Sequence, residues 1–110
     1  MKKAICEADY SDGILVLKLK GDIDHHNAKP LREEIDAYIY IYRAKTVILD
    51  LSKIDFMDSS GLGLIIGRYS KIKELGGSLI ISDPNVGVQK ILALAGTEKL
   101  IPVKHTERTN

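Results

Sequence analysis

The chain has 110 residues, of which 45% are hydrophobic and 28% charged, with a net charge of +1. That is enough for one real core and too little for two domains, and the near-zero charge excludes a broad attraction to DNA or anionic membrane. One Phe and no Trp leave little for base stacking, and the single cysteine, Cys6, excludes an intrachain disulfide and suits a reducing cytoplasm.

Lys2 and Lys3 precede no apolar run of signal-peptide length, and no stretch approaches the roughly 20 apolar residues of a membrane span. Residues 2–9 and 14–20 read as two strands. In the second, Leu15, Leu17 and Leu19 alternate with Lys18 and Lys20. Asp12-Gly13 between them is a hairpin signal. The second strand is expected to end at Gly21, with 22–27 as a polar loop and Asn27 capping a helix over 28–42. Its stripe is Ala28, Leu31, Ile35, Tyr38, Ile39 and Tyr42. Pro30 falls in the first turn, where no helical N–H bond is lost.

Residues 46–51 are short, β-branched and apolar, the pattern of a central strand buried on both faces. A second helix is expected over 59–75, with Leu62, Ile65, Ile66, Tyr69 and Ile72 inward, and Gly76-Gly77 ends it. Residues 78–82 form another buried strand. Asp83-Pro84 is expected to open a third helix with the stripe Val88, Ile91, Leu92 and Ala95, closed by Gly96. Residues 99–103 suggest a short edge strand, and 104–110 a frayed polar tail. The order is ββαβαβα(β). This is one α/β domain over 1–110, with an N-terminal hairpin, right-handed βαβ crossovers and helices on a mixed sheet of four to five strands.

The densest chemistry lies in Asp55-Phe-Met-Asp-Ser-Ser-Gly-Leu-Gly63. Asp58 caps the second helix, which places Ser59 and Ser60 in its first turn, beside unpaired N–H groups and partial positive charge. A hydroxyl there can accept a phosphate, and the plainer reading is a cap alone. The helical wheel turns Gly63, Gly67, Ser70 and Glu74 outward, flanked by Leu64. Gly63 and Gly67 cost about 1 kcal/mol each in a helix interior. Either the first helix packs closely there, or the bare face admits a partner's backbone with Leu64 as apolar anchor. A phosphoserine adds about −1.5 to −2 charge. With Asp24 and Asp58 making the area negative, it would repel that partner.

Asp22, Asp24, Asp55 and Asp58 with His25 and His26 lack metal-ligand spacing, and no metal or cofactor is expected. A serine hydrolase is disfavoured because Met57 stands where Gly-x-Ser-x-Gly needs its first glycine.

Phe56-Met-Asp-Ser-Ser-Gly-Leu-Gly63, continuing through Ile66-Gly-Arg-Tyr69 to Gly76-Gly77, resembles the anti-sigma factor antagonists of the STAS domain family, the sporulation type above all. Gly21-Asp-Ile-Asp-His-His26 resembles the loop after their second strand. The likeness spans roughly residues 5–100 and fades in the tail. It implies a STAS-like α/β fold and a cytoplasmic, non-enzymatic partner switch. In such a switch the unphosphorylated antagonist binds an anti-sigma factor that is also a serine kinase and so frees the sigma factor. The kinase phosphorylates the first serine, here Ser59, and a PP2C-type phosphatase reverses this. The resemblance further implies contact between Asp24 and the kinase. With the bare helix face read from the wheel, the expected docking residues are Asp24, Asp58, Ser60, Gly61, Gly63, Leu64 and Gly67. Neither nucleic acid nor membrane is bound directly, and nothing demands more than a monomer. The alternatives are a STAS module of another switch (stress, motility or transport) and a small hydrolase or nucleotide-binding enzyme built on Ser59.

Overall fold

The computed structural model describes residues 4–106. Residues 2 and 3 of the expected first strand and 107–110 of the expected tail lie outside that range. Five strands form a mixed sheet in the spatial order β1-β2-β3-β4-β5: Ile5–Ser11, Ile14–Ile23, Thr46–Met57, Ser78–Ser82 and Val103–Lys104. The hairpin β1–β2 is antiparallel and all other pairs are parallel. Asp12 at φ 51° and Gly13 at φ 81° make the two-residue hairpin turn that the twist of the strands favours.

The register places Leu15 beside Val47 and Leu17 beside Leu49, and these beside Leu79 and Ile81 in turn. Those six side chains share one face of the sheet. Helices α1 (Ala28–Tyr42), α2 (Ser59–Glu74) and α3 (Val86–Leu94) cover it, through Leu31, Ile35, Ile39, Leu64, Ile65, Ile72, Val88 and Leu92. Burial of each such side chain contributes about 1.5–3 kcal/mol. Val16, Ile48 and Ile80 point the other way and are only half-buried. The central strand is therefore covered on one face, not both as its apolar run suggested. All three helices lie on the same side of the sheet.

Strands β2 and β3 both run further than their apolar cores. Gly21, at φ 109°, absorbs a register shift, so β2 continues through Asp22 to Ile23 instead of opening into loop. Strand β3 extends to Met57, pairing Asp22 with Phe56 and Ile23 with Met57. The third helix starts at Val86. Its cap is Asn85, whose Oδ1 accepts from Val88 N at 2.8 Å, and not Asp83-Pro84. Asp83 has φ 55° and instead accepts from Thr106 N and Oγ1, so the chain stays ordered past the point where fraying was expected. Residues 97–99 form a single 3-10 turn, and the edge strand is confined to 103–104.

Candidate docking and modification site

The extended β2 and β3 end together, and the two loops that follow them carry the candidate residues. The first loop is locked by Asp24. Its N–H donates to Asn27 Oδ1 at 3.0 Å, while its Oδ1 accepts from His26 N at 2.8 Å and Asn27 N at 3.2 Å. Its carbonyl accepts from Ala28 N at 2.9 Å, and Asn27 Nδ2 reaches back to Asp22 O. Asn27 thus braces the loop and makes no side-chain bond to the helix N–H groups. Asp24 is 4% exposed, and only its buried Oδ2 lacks a hydrogen-bond partner.

The second loop is a single residue, Asp58. Its N–H donates to Ile23 O at 3.1 Å, tying it to the end of β2, and its Oδ1 accepts from Ser60 N at 2.8 Å. Helix α2 therefore starts directly off the sheet edge, with Ser59 as its first residue. Ser59 is exposed, whereas Ser60 is half-buried and faces α1. Gly61 is buried. A Cβ there would overlap Met57 and lie 3.1 Å from Ile23 Cγ2, so this glycine lets the helix start pack onto both strand ends. Asn85 Nδ2 donates to Ile54 O at 3.0 Å and Asp55 O at 3.3 Å, which fixes the start of α3 beside the same loop. Phe56, 54% exposed, stands on that edge next to Val88 and Ile91.

Farther along α2, a Cβ on Gly63 or Gly67 would meet nothing within 4 Å. Helix α1 does not press on them. They line a groove of about 350 Å³ between α1 and α2, together with His25, Ala28, Lys29, Arg32, Ser60, Leu64 and Arg68.

Two expectations about this face need correcting. Leu64 is 4% exposed and belongs to the core, and the residue that the wheel turned inward, Ile66, is 37% exposed. The buried arc of α2 (Gly61, Leu64, Ile65, Arg68, Ile72) is rotated because the helix packs on α1 as well as on the sheet. The groove is also not lined by acid. Asp24 is buried and spent on its own loop, Asp58 caps α2 and lies 4.0 Å from His25, and the ionisable residues lining the groove are His25, Lys29, Arg32 and Arg68. Arg68 escaped the sequence reading because a one-helix wheel assigns an arginine to water. Its signal was an acid, Asp36, at the matching depth of α1, with Nε–Oδ1 at 2.8 Å.

Both loop histidines, His25 and His26, stand against a carboxylate. His25 Nδ1 lies 4.0 Å from Asp58 Oδ2, and His26 Nδ1 lies 3.7 Å from Asp24 Oδ1. Cys6 is buried, and that burial pushes its thiol up to about 12, so it is no nucleophile at neutral pH. Among the described residues no group of three or more His, Cys, Asp or Glu is arranged to hold a metal ion, and no helix is long and apolar enough to cross a membrane.

Sequence and fold are shared with known proteins. The anti-sigma F factor antagonist of Paenibacillus polymyxa is 36% identical over 101 residues, covering 92% of this chain and 86% of the relative. The unphosphorylated form of the anti-sigma factor antagonist SpoIIAA superposes with a TM-score of 0.79 at 26% identity, covering 94% of this chain and 90% of that one. The Bacillus cell fate determinant SpoIIAA in its phosphorylated form gives 0.73 at 25%, covering 94% and 93%. The STAS domain model matches residues 6–110. The chain therefore belongs to the STAS domain family, alongside the anti-sigma F factor antagonists.

Proposed function

We propose that the chain is an anti-sigma factor antagonist switched by phosphorylation of Ser59. One observation carries the choice of residue. Of the two hydroxyls in the motif, Ser59 stands exposed at the first position of α2, while Ser60 is half-buried and its N–H is held by Asp58. A kinase can reach the first without opening the helix. A phosphate there sits at the positive end of α2, where the added charge is tolerated by the fold. Phosphorylation would then change what the face binds while leaving the fold intact.

In the unphosphorylated state the bare Gly63/Gly67 surface receives the anti-sigma factor, which is also the kinase, and the sigma factor is released. The phosphoserine adds about −1.5 to −2 charge at the edge of that surface and prevents docking. A PP2C-type phosphatase resets the switch. The chain itself performs no catalysis, since ATP and its Mg²⁺ belong to the kinase. Asp24 acts by holding the loop, since its carboxylate is buried there and braced by His26 N and Asn27 N. Gly61 and Leu64 act from beneath, as packing.

Incubation with an anti-sigma F factor kinase and ATP tests this. Mass spectrometry should find a single added phosphate, on the peptide carrying Ser59 and absent from Ser59→Ala. Phosphate on Ser60, or none with a kinase that phosphorylates its own antagonist, would refute the assignment.

A further inference from the structure

The groove beside the glycines contains a charge arrangement that docking on a bare helix face does not require. Arg68 is 7% exposed, and burial lowers its pKa, an effect that Asp36 partly offsets. Its Nε lies 2.8 Å from Asp36 Oδ1, but the N–H is not aligned for a hydrogen bond, and Nη1 has no partner at all. A buried guanidinium left this incompletely bonded is costly, and because Nε and Nη1 are both closed to the surface an outside acceptor reaches them only if the side chain turns toward the groove. Arg32 sits close enough for like-charge repulsion with Arg68. Arg32 and Lys29 are exposed on the groove wall and take part in no ion pair among the described residues. Three permanent cations thus line the groove, with Asp36 against Arg68 and Asp58 4.0 Å from His25 standing outside its lining, in a chain whose net charge is only +1.

We infer that the α1/α2 groove is an anion subsite that takes an Asp or Glu side chain of the protein partner, held between Arg68 and Arg32 while the partner's backbone lies over Gly63 and Gly67. A protein carboxylate fits better than a free phosphate because the floor is apolar Leu64 and bare glycine, which a small inorganic ion would leave uncovered. The inference rests on the docking reading above and makes it more specific. Ser60 lines the same groove, so a phosphate on its neighbour Ser59 would add negative charge one residue from the groove wall and oppose the incoming carboxylate.

Two arms separate this inference from the reading beneath it. In calorimetric titrations against the anti-sigma F factor of Paenibacillus polymyxa, Arg32→Glu and Lys29→Glu should each bind roughly tenfold more weakly than wild type, with a reduced salt dependence, while Arg43→Glu at the far end of α1 stays within about twofold. Normal binding by both groove variants, with Gly63→Leu inactive, would keep the docking face and overturn the anion subsite. Absence of wild-type binding would refute the docking reading, and the second arm then decides the subsite alone. There, hexaglutamate peptide or inorganic phosphate is added to the isolated chain while the Arg68 Nε–H resonance is followed by NMR. A shift with the peptide that Arg32→Glu abolishes supports the inference. A shift with phosphate alone, or none with either, overturns it.

Discussion

Gly61 and the pair Gly63/Gly67 lie within two turns of one helix and lack side chains for opposite reasons. At Gly61 the space is taken, since Met57 and Ile23 from the two strand ends fill the volume a Cβ would need. At Gly63 and Gly67 the space is open, and none of the described residues comes within 4 Å of where a Cβ would sit. The first glycine fastens the start of α2 to the sheet edge, together with the Asp58–Ile23 and Asp58–Ser60 bonds. The other two leave the next turns bare, at a cost of about 1 kcal/mol each in helix propensity. A firmly fixed helix start with an exposed serine, continuous with an unfilled face, suits a switch whose charge changes while its backbone does not move. If the bare face were structural, its glycines would be packed like Gly61.

Four substitutions would break or sharpen that contrast. The largest effect belongs to the open face. Gly63→Leu should fold with an unchanged circular dichroism spectrum yet lose at least about 3 kcal/mol of binding to the kinase, about a hundredfold or more in Kd by calorimetry. Ser59→Asp should weaken the same titration in the same direction but by less, since one carboxylate carries about half the charge of a phosphate.

Gly61→Val tests the closed site. It should lower unfolding stability by about 2–3 kcal/mol in urea titration, because overpacking against buried Met57 outweighs the gain in helix propensity. A neutral result would mean that the strand ends yield easily and that Gly61 is not what fixes the helix. Gly67→Ala gives the smallest effect and the opposite sign, stabilising the free chain by about 0.5–1 kcal/mol, since the added methyl meets only solvent. Destabilisation by this variant would show that α1 closes on the groove in solution.

Much of this was legible before any coordinates. Hairpin chemistry at Asp12-Gly13, the period of α1 and the Gly76-Gly77 stop are local signals, and the structure repeats them: Gly76 has φ 84° and Gly77 N donates to Ile72 O at 2.9 Å. The Asp58 cap is equally local, and with it the place of Ser59 and Ser60 in the first turn of α2. Where the sequence reading failed, the deciding partner was distant in the chain. The polar ends of β2 and β3 pair because Gly21 absorbs a register shift, and Asn85 displaces Asp83 as a cap because Ile54 and Asp55 accept its amide.

The site divides in the same way. Sequence by itself determined the motif, the cap, the place of both serines in the first helical turn and the two costly glycines, since each depends on neighbours within one turn of chain. Only tertiary structure decided which glycine is filled, that Leu64 belongs to the core, that Asp24 is buried in its own loop, and that the groove beside Ser59 is lined by basic residues. Those properties arise where α1, α2 and two strand ends meet. A helical wheel sees one element at a time and cannot know what a second helix brings to its side.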